Sequence, residues 1–273
     1  MKSLIAILCL AMLTACGSGG DTAPTVSDIQ GQNLFYGASA QFVFSGNNLE
    51  TLDGSVTRNI PNCTGQTPVY ATPAQQVIRC TITAIGDLNV QVLNGAGSVI
   101  FAKTFAVPAP QVALVTSMGS IVVQLNPTVA PLSVNNFLKY LQNGFYSNTL
   151  FHRVIAGFVI QGGGYTAGLL ARPGLLAPIS LESNNGLSNL RGTIAMARTS
   201  DPNSATSQFY FNLAENPALD YQDASNPGYA VFGKIVQGLD VMDTIGAVPT
   251  NTVNGTPDVP VTDVVVKNAL RIQ

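Results

Sequence analysis

The sequence predicts a mainly β protein with two domains, of which the second carries two helices. Short runs of strand-forming residues, separated by turn residues, recur through most of the 273 residues. Only two stretches, 130–143 and 239–245, favour a helix. Residues 108–110, Pro-Ala-Pro, form a stiff joint after which a new domain begins. Apolar residues make up 46% of the chain and charged residues 10%, which is typical of a folded protein rather than a disordered one.

The first 24 residues have the composition of an export signal followed by a tether. The apolar run at 4–13 is about half of the roughly 20 residues that a membrane-spanning helix needs. Residues 13–16, Leu-Thr-Ala-Cys, resemble the bacterial lipobox, in which the cysteine becomes the lipid-modified first residue of the mature protein. We therefore expect a signal peptide at 1–15, a lipidated Cys16 and a flexible tether at 16–24. The alternative is a plain secretory signal in which Cys16 is incidental.

The lipid anchor predicts a place on the periplasmic side of a bacterial cell envelope. More than one acyl chain is expected on Cys16, and two or more chains give stable anchoring where one does not. Gly17 follows the cysteine in place of the aspartate that retains some lipoproteins at the inner membrane. This favours the outer membrane.

Residues 25–108 are predicted to form an immunoglobulin-like β-sandwich. Strand-like runs occur at 41–44, 76–82 and 89–93, and Asn94-Gly95 is a strong turn signal. The segment shows no long helical periodicity, and the number and spacing of its short strands favour a sandwich. Because it carries no catalytic motif, its plain interpretation is a spacer or an adhesion module.

The cysteines predict one disulfide and no metal site. Of the four cysteines, Cys9 leaves with the signal peptide and Cys16 is used by the lipid, which leaves Cys63 and Cys80. In an exported chain such a pair is expected to be oxidised, and the bridge would stabilise the fold by roughly 3 kcal/mol. The alternative is two buried thiols. The pair lacks C-x-x-C spacing and His152 is the only histidine, so no zinc site is predicted.

The domain at 110–273 is predicted to be mostly antiparallel sheet with two helices packed on it. It opens with a hairpin formed by 112–115 and 121–125. The first helix has Pro131 near its start, and we expect the second helix to be closed by Gly246.

Three blocks in this domain resemble the cyclophilin family of peptidyl-prolyl cis-trans isomerases. The first block, 151–163, reads Phe-His-Arg-Val-Ile-Ala-Gly-Phe-Val-Ile-Gln-Gly-Gly and matches the family signature almost position for position. The second comprises 191–198 and 204–212, and the third is 229–235. The resemblance covers about 110–270 and is closest to the periplasmic bacterial cyclophilins. It implies an eight-stranded antiparallel barrel capped by two helices, without a cofactor.

The resemblance also implies an activity, for which Arg153 has suitable chemistry. An X-Pro bond is held by a rotation barrier of roughly 18–20 kcal/mol that comes from amide resonance. Rotation takes the proline nitrogen out of conjugation, so its lone pair becomes a better hydrogen-bond acceptor only near the transition state. A fixed guanidinium is therefore worth more to the twisted amide than to either planar form. Arg153 is the candidate catalytic residue, and the resemblance implies Gln161 as the neighbour that holds it.

The proline ring would be gripped by an apolar wall, which the resemblance again supplies. The substrate-binding positions map onto His152, Phe158, Val159, Gln161, Ala197, Gln208, Tyr210, Leu219 and Tyr229. Without the family pattern, Arg153 would be one exposed cation on a strand, and Phe158 and Tyr210 would be core aromatics. His152 would be a hydrogen-bonded structural residue, and Gln208 an amide inside the barrel.

The sequence departs from the family at three of the positions around this wall. Val159 stands where a methionine is usual, Ala218 where an aromatic residue is usual, and Tyr229 where many members have histidine. Because cyclosporin binding in the family depends on that aromatic residue, we expect weak affinity for the drug. A titration that gave nanomolar binding would contradict this.

Two functions remain open at this point, an isomerase and a binding module. In both, the partners are proline-containing polypeptides of the cell envelope, and we expect a monomer. In the second, turnover is vestigial, which Val159 and Ala218 would explain. A Ser-His-Asp hydrolase would have to use His152, yet the sequence has no G-x-S-x-G elbow. The net charge of -2 provides no broad attraction to nucleic acid.

Overall fold

The structure, a computed structural model, describes residues 23–49 and 56–273. The predicted signal peptide, Cys16 and most of the tether lie outside the described residues. These described residues are mainly β with two α-helices, as predicted. Neither of the helices in the described part of the chain is long and apolar enough to cross a membrane.

The N-terminal domain has the strand order of an immunoglobulin constant domain. Its strands among the described residues are β1 (Thr25–Gln32), β2 (Ser39–Asn47), β3 (Val56–Asn59), β4 (Cys63–Ala71), β5 (Gln75–Ile82), β6 (Gly86–Asn94) and β7 (Val99–Val107). One sheet has the order β1-β2-β5-β4 and the other the order β3-β6-β7. These are the A-B-E-D and C-F-G sheets of the constant-type fold, which agrees with the predicted immunoglobulin-like sandwich.

The two sheets share one apolar core. Ile29 and Phe42 from the first sheet and Val90 from the second are all fully buried in the same cluster. On β2 the buried and less buried side chains alternate, because successive side chains of a strand point to opposite faces of the sheet.

The predicted disulfide between Cys63 and Cys80 is present. Their Cα atoms lie 5.5 Å apart, and the bond joins β4 to its neighbour β5 within one sheet. In antibody domains the conserved disulfide joins the two sheets instead. Here the bond fastens the edge strand β4, whose residues after Cys63 are all exposed.

The C-terminal domain is a closed antiparallel barrel. Its strands are β8 (Gln111–Thr116), β9 (Gly119–Leu125), β10 (Thr149–Ile155), β11 (Val159–Gly162), β12 (Tyr165–Thr166), β13 (Leu170–Ala171), β14 (Thr193–Met196), β15 (Phe209–Asn212), β16 (Val231–Gln237), β17 (Thr250–Val253), β18 (Thr256–Pro260) and β19 (Val265–Arg271), and its helices are α1 (Pro131–Gln142) and α2 (Leu239–Gly246). Eight strands close the barrel in the order β10-β11-β15-β14-β16-β9-β8-β19. The pairs β12–β13 and β17–β18 are separate hairpins. The predicted eight-stranded barrel with two helices is therefore confirmed.

Aromatic side chains fill the core of the barrel. Phe137 of α1 lies with its ring centroid 4.9 Å from that of Tyr146, 5.5 Å from Phe209 and 5.4 Å from Phe232. Tilted and edge-to-face contacts of this kind add to the stabilisation from burial alone. They fix α1 against the barrel and so give the strands of the site a rigid base.

Helix α2 ends at Gly246, as predicted, but Gly246 is the last residue of the helix rather than the residue after it. The helix includes Gly246, whose φ is not left-handed, and ends there. A Cβ on Gly246 would lie 2.6 Å from Cδ2 of Leu213. Glycine is therefore needed for the close approach of α2 to Leu213, and not for a left-handed turn that closes the helix.

The N-terminal domain packs on the barrel. The buried side chain of Tyr36 belongs to the core cluster of the barrel, and its hydroxyl donates a hydrogen bond to Oδ1 of Asn135 on α1, at 2.9 Å. Ile85 packs against the cores of both domains. A cavity of about 490 Å³ lies at this junction, between Ile85, Ala109 and the outer face of the barrel.

Candidate active site

A β-bulge sets the direction of the Arg153 side chain. Phe151 pairs with Gly162 and Arg153 pairs with Gln161, so His152 is an extra residue on β10. By strict alternation Phe151 and Arg153 would point to the same face of the sheet. The bulge reverses this, which is the effect of a single inserted residue. Phe151 is buried in the barrel core, whereas Arg153 is half-exposed on the outer face.

Two neighbours hold the guanidinium of Arg153. Its Nη1 donates to Oε1 of Gln161 at 3.4 Å, and Nε2 of Gln161 donates to Oε1 of Gln208 at 2.9 Å. Its Nε lies 3.6 Å from Oδ2 of Asp258 on β18, in an ion pair whose side chains are 39% and 36% exposed. The contact with Gln161 is the one that the family resemblance implied. The ion pair with Asp258 lies near the surface and leaves other N–H groups of the fork unused.

A cavity of about 130 Å³ opens beside this guanidinium. At the ~30 Å³ that one water occupies in the liquid, it offers the room of about four waters, enough for one small ring. The residues that line it are Arg153, Phe158, Val159, Gln161, Ala197, Arg198, Tyr210, Leu219 and Tyr229. All but Arg198 were predicted from the sequence, so the fold brings together eight of the ten predicted catalytic and binding residues.

Several separate elements supply this lining. Val159 and Gln161 lie two residues apart on β11, so their side chains share a face, and Tyr210 is paired with Gln161 across β15. Phe158 lies before the strand in a turn that is closed by its N–H to Ile155 O, which frees it from strand alternation. Leu219 comes from the short 3₁₀ helix Pro217–Leu219, whose Ala218 does not line the cavity.

Buried hydrogen bonds support the wall behind Tyr210. The Tyr210 hydroxyl donates to Oδ1 of Asn189 at 2.7 Å. The backbone N and Nδ2 of Asn189 donate to Oδ1 of Asp220 at 2.6 and 2.8 Å. Burial raises the pKa of Tyr210 well above its usual range, so the hydroxyl stays protonated and continues to donate. These bonds tie the ring to the loop that carries Leu219.

His152 does not line the cavity, contrary to the expectation from the sequence. His152, the extra residue of the bulge, is buried, and its ring centroid lies 4.6 Å from that of Tyr165. Burial lowers the pKa of His152 to about 4, so the imidazole is neutral near neutral pH. The histidine therefore supports the bulge from behind, which is close to its plain structural interpretation.

Gln208 lines a second cavity, which continues the first. This cavity of about 200 Å³ shares Gln161, Ala197 and Arg198 with the one beside Arg153. The rest of its lining is Thr199, Ser204, Thr206 and Gln208. Because the two cavities share three residues, they form one groove. Gln208 lies on the part of this groove away from Arg153.

Sequence analysis missed Arg198 and Asp258. The Arg198 guanidinium lies 4.5 Å from the Tyr229 ring centroid, and its Nε and Nη1 donate to the backbone oxygens of Gly228 and Thr199 at 3.0 and 2.8 Å. Its position next to Ala197 in a matched block was a signal that could have pointed to it. Asp258 had no such signal, because it reaches Arg153 only through the packing of β18 on β10.

The domain has relatives among characterised proteins. Residues 111–270 match the family model described as cyclophilin type peptidyl-prolyl cis-trans isomerase/CLD. The chain is 46% identical over 170 residues to peptidyl-prolyl cis-trans isomerase A of Dickeya dadantii. The aligned residues cover 62% of this chain and 88% of that protein. It is 46% identical over 155 residues to peptidyl-prolyl cis-trans isomerase B of Escherichia coli, with 56% of this chain and 94% of that protein covered.

A solved structure resembles the same part of the chain. It is a cyclophilin type peptidyl-prolyl cis-trans isomerase of Cryptosporidium parvum, crystallised in the presence of the dipeptide Ala-Pro. The TM-score is 0.50 at 26% sequence identity, and the match covers 60% of this chain and 99% of that one.

Proposed function

Because the chain belongs to the cyclophilin-type peptidyl-prolyl cis-trans isomerase family, we propose that Arg153 catalyses the isomerisation of X-Pro bonds in this protein. The observation that carries the proposal is the half-exposed guanidinium on the wall of a cavity that takes one small ring. Proline seated in the cavity would place its nitrogen near Arg153. The substrates are proline-containing polypeptides.

Arg153 favours the twisted amide over both planar forms. The lone pair of the proline nitrogen is delocalised in the planar amide and localised in the twisted one, so it accepts a hydrogen bond chiefly in the transition state. One charge-assisted hydrogen bond is worth roughly 1.5–3 kcal/mol. A hundred-thousandfold acceleration requires about 7 kcal/mol. The remainder comes from the apolar wall of Phe158, Tyr210 and Leu219, which holds the ring while the preceding carbonyl swings, and from the loss of water around the amide.

A comparison of Arg153 variants on a short X-Pro peptide tests this role. Arg153→Ala should lower kcat/KM by about ten- to a hundredfold, since one charge-assisted hydrogen bond to the transition state is lost. Arg153→Lys keeps the charge without the planar fork and should recover only part of the loss. Arg191→Ala is the matched control, because Arg191 is an exposed arginine paired with Asp243 away from the cavity.

The same assay separates the isomerase from the binding module. If the wild-type protein does not exceed the uncatalysed rate, catalysis by Arg153 is refuted, and retained binding of the peptide would favour the binding module. If Arg153→Ala is as fast as the wild type, the proposed role of the guanidinium is wrong.

We further propose that the protein acts as a lipid-anchored monomer in the bacterial cell envelope, on exported polypeptides. The lipobox-like residues 13–16 support the anchor, and the Cys63–Cys80 disulfide fits an oxidising compartment. The outer membrane is the preferred location, because Gly17 follows the predicted lipidated residue.

Fractionation of bacteria that express the full chain tests the anchor. The wild-type protein should sediment with membranes and incorporate labelled fatty acid. Cys16→Ser should do neither and should stay soluble after export. Wild-type protein recovered in the soluble fraction without label would refute lipid anchoring.

A further inference from the structure

The substrate groove continues beyond the cavity that takes the proline ring. From Arg153 it passes the shared residues Gln161 and Ala197 and reaches Gln208. The backbone of Gly164 lies directly against Gln208, since a Cβ there would be 2.6 Å from Cγ of the glutamine. A polypeptide longer than a few residues that leaves the groove past Gln208 therefore meets the segment that follows Gly164.

That segment is the hairpin 165–171, Tyr-Thr-Ala-Gly-Leu-Leu-Ala, which we name the apolar hairpin. It has no charged residue, and the Leu170 side chain is 66% exposed. Strands β12 and β13 pair through Tyr165 with Ala171 and Thr166 with Leu170. An exposed apolar side chain of this size on a two-stranded hairpin adds little to the stability of the fold.

The base of the apolar hairpin is fixed to the site. The Arg172 N–H donates to Gly164 O at 2.9 Å, and the Tyr165 ring packs on His152, the bulge residue beside Arg153. Its tip is turned by two successive left-handed residues, Gly168 with φ 76° and Leu169 with φ 56°. A leucine in that conformation costs roughly 1–2 kcal/mol. The fold therefore keeps an unfavourable turn on a hairpin that exposes Leu170 and whose base adjoins the groove.

We infer that the apolar hairpin is a docking surface for apolar segments of unfolded polypeptides whose proline occupies the cavity. This inference rests on the proposed function and deepens it. The base of the hairpin adjoins the substrate groove where Gly164 lies against Gln208, so a chain held in the groove can reach the hairpin without a separate encounter. Unfolded chains expose apolar side chains, and burial of a leucine gains roughly 1.5–3 kcal/mol. A peptide of four residues centred on the proline is too short to gain this.

The experiment compares a short and a long substrate. In Leu169→Asn/Leu170→Ser both leucines are replaced by polar residues, and asparagine tolerates the left-handed conformation at 169. The matched control is Leu132→Ser/Ile272→Ser, at exposed apolar positions (45% and 54%) on α1 and after β19. Each protein is assayed on an X-Pro tetrapeptide and in the refolding of an unfolded protein whose slow phase is X-Pro isomerisation.

The hairpin variant should keep wild-type kcat/KM on the tetrapeptide and lose about tenfold in kcat/KM for refolding, chiefly through KM. The control should match the wild type on both substrates. A permanently unfolded, apolar competitor should inhibit the tetrapeptide reaction of the wild type about tenfold more strongly than that of the hairpin variant.

Three results would overturn the inference. They are an unchanged refolding rate in the hairpin variant, an equal loss on both substrates, and an equal loss in the control. A hairpin-dependent dimer in sedimentation, or hairpin-dependent binding to phospholipid vesicles, with refolding unaffected, would assign the surface to another occupant. If the wild type fails on the tetrapeptide, the proposed function falls instead, so the two failures are distinguishable.

Discussion

At the scale of single residues, the orientation of Arg153 depends on contacts that differ in strength. The bulge at His152 aims the side chain outward, and Gln161 and Asp258 then restrain the guanidinium from two sides. An exposed ion pair of this kind stabilises a protein by only about 0–1 kcal/mol. Its effect should therefore appear in catalysis rather than in folding.

Asp258→Ala should lower kcat by about threefold to fivefold with little change in KM. The ion pair that positions the Arg153 guanidinium is worth up to ~1 kcal/mol, and its loss should raise the free energy of the transition state rather than weaken substrate binding. Asp258→Asn retains an oxygen that can accept from Nε and should recover most of the rate. Peptide kinetics at low and high salt measure both effects, and salt should lower the rate of the wild type more than that of Asp258→Asn.

Asp243→Ala is the control for this prediction, since it removes the ion pair with Arg191, at 2.6 Å and also on the surface. It should leave the kinetics unchanged. Equal kcat values for the wild type and Asp258→Ala would show that Gln161 alone orients the guanidinium.

His152 should make the stability of the protein depend on pH. Its pKa of about 4 in the folded protein lies below the roughly 6.5 of a free histidine. Between these two pH values the unfolded chain binds a proton that the folded chain does not bind. The contribution of the neutral imidazole to the stability of the fold is therefore complete above pH 6.5 and is lost as the pH falls toward 4. In urea unfolding of the wild type, this residue should lower the free energy of unfolding by up to about 1.4 kcal/mol for each pH unit by which the pH falls within this window.

His152→Gln isolates that contribution, because His152 is the only histidine in the chain. The difference in free energy of unfolding between wild type and variant should change across the window from pH 6.5 to 4 and be constant above it. Parallel pH profiles of the two proteins would contradict a buried neutral imidazole.

Matched sequence blocks predicted the residues of the cavity but not the geometry behind them. Phe158 and Tyr210 were placed in the wall because they lie within sequence blocks that match the family, and Leu219 was placed there by the family resemblance although it lies outside those blocks. The bulge could not be predicted, because no local sequence pattern in β10 marks the extra residue. It is defined only by the register in which β10 pairs with β11. This is why His152 lies outside the cavity although the resemblance placed it there, while Arg153 lines the cavity.

At the scale of elements, the start of α1 shows the same limit. The apolar spacing predicted the helix at 130–143, and the structure has it at Pro131–Gln142. Its N-cap residue, Ala130, provides no side-chain hydrogen bond, and its first turn contains no acidic residue. Instead Glu182 accepts hydrogen bonds from the backbone N–H groups of Leu132 and Ser133 at 2.9 and 2.7 Å. A cap that lies fifty residues away along the chain cannot be predicted from helix-start signals.

Glu182→Ala should lower the free energy of unfolding by about 1–2 kcal/mol, because it removes a cap and a negative charge at the positive end of the helix. Glu182→Gln keeps one acceptor oxygen and should lose less. Urea unfolding followed by circular dichroism measures both. Glu215→Ala provides a control at a glutamate outside any described strand or helix. A loss no larger than that of the control would mean that water caps α1 as well as the carboxylate does.

At the scale of the whole molecule, the sandwich packs on the catalytic domain but lines none of the cavity beside Arg153. All residues that line the cavity beside Arg153 belong to the C-terminal domain, in its barrel strands or in the loops that join them. The sandwich contributes Tyr36 to the core cluster of the barrel and is itself held by the Cys63–Cys80 bond. The number and spacing of the strands predicted the sandwich, but no local pattern indicated that one of its tyrosines would be buried against α1. Packing between domains depends on surfaces that are complete only after each domain has folded.

This division predicts an asymmetric response to loss of the disulfide. Cys63→Ala/Cys80→Ala in the full chain should lower the free energy of unfolding of the sandwich by about 3 kcal/mol, because the unfolded chain is no longer constrained. Without denaturant, kcat/KM on a short X-Pro peptide should equal that of the wild type. In urea, the loss of β-sheet signal should move to lower denaturant by more than the loss of isomerase activity, since the disulfide lies within the sandwich and the change reaches the barrel only through interdomain contacts such as those of Tyr36 and Ile85. Tyr36→Phe in the wild-type background, which removes only the hydrogen bond to Asn135, should shift neither transition by more than about 1 kcal/mol. If activity and sheet signal shift together in the cysteine variant, the two domains unfold as one cooperative unit, and the sandwich is then part of what keeps the catalytic barrel folded.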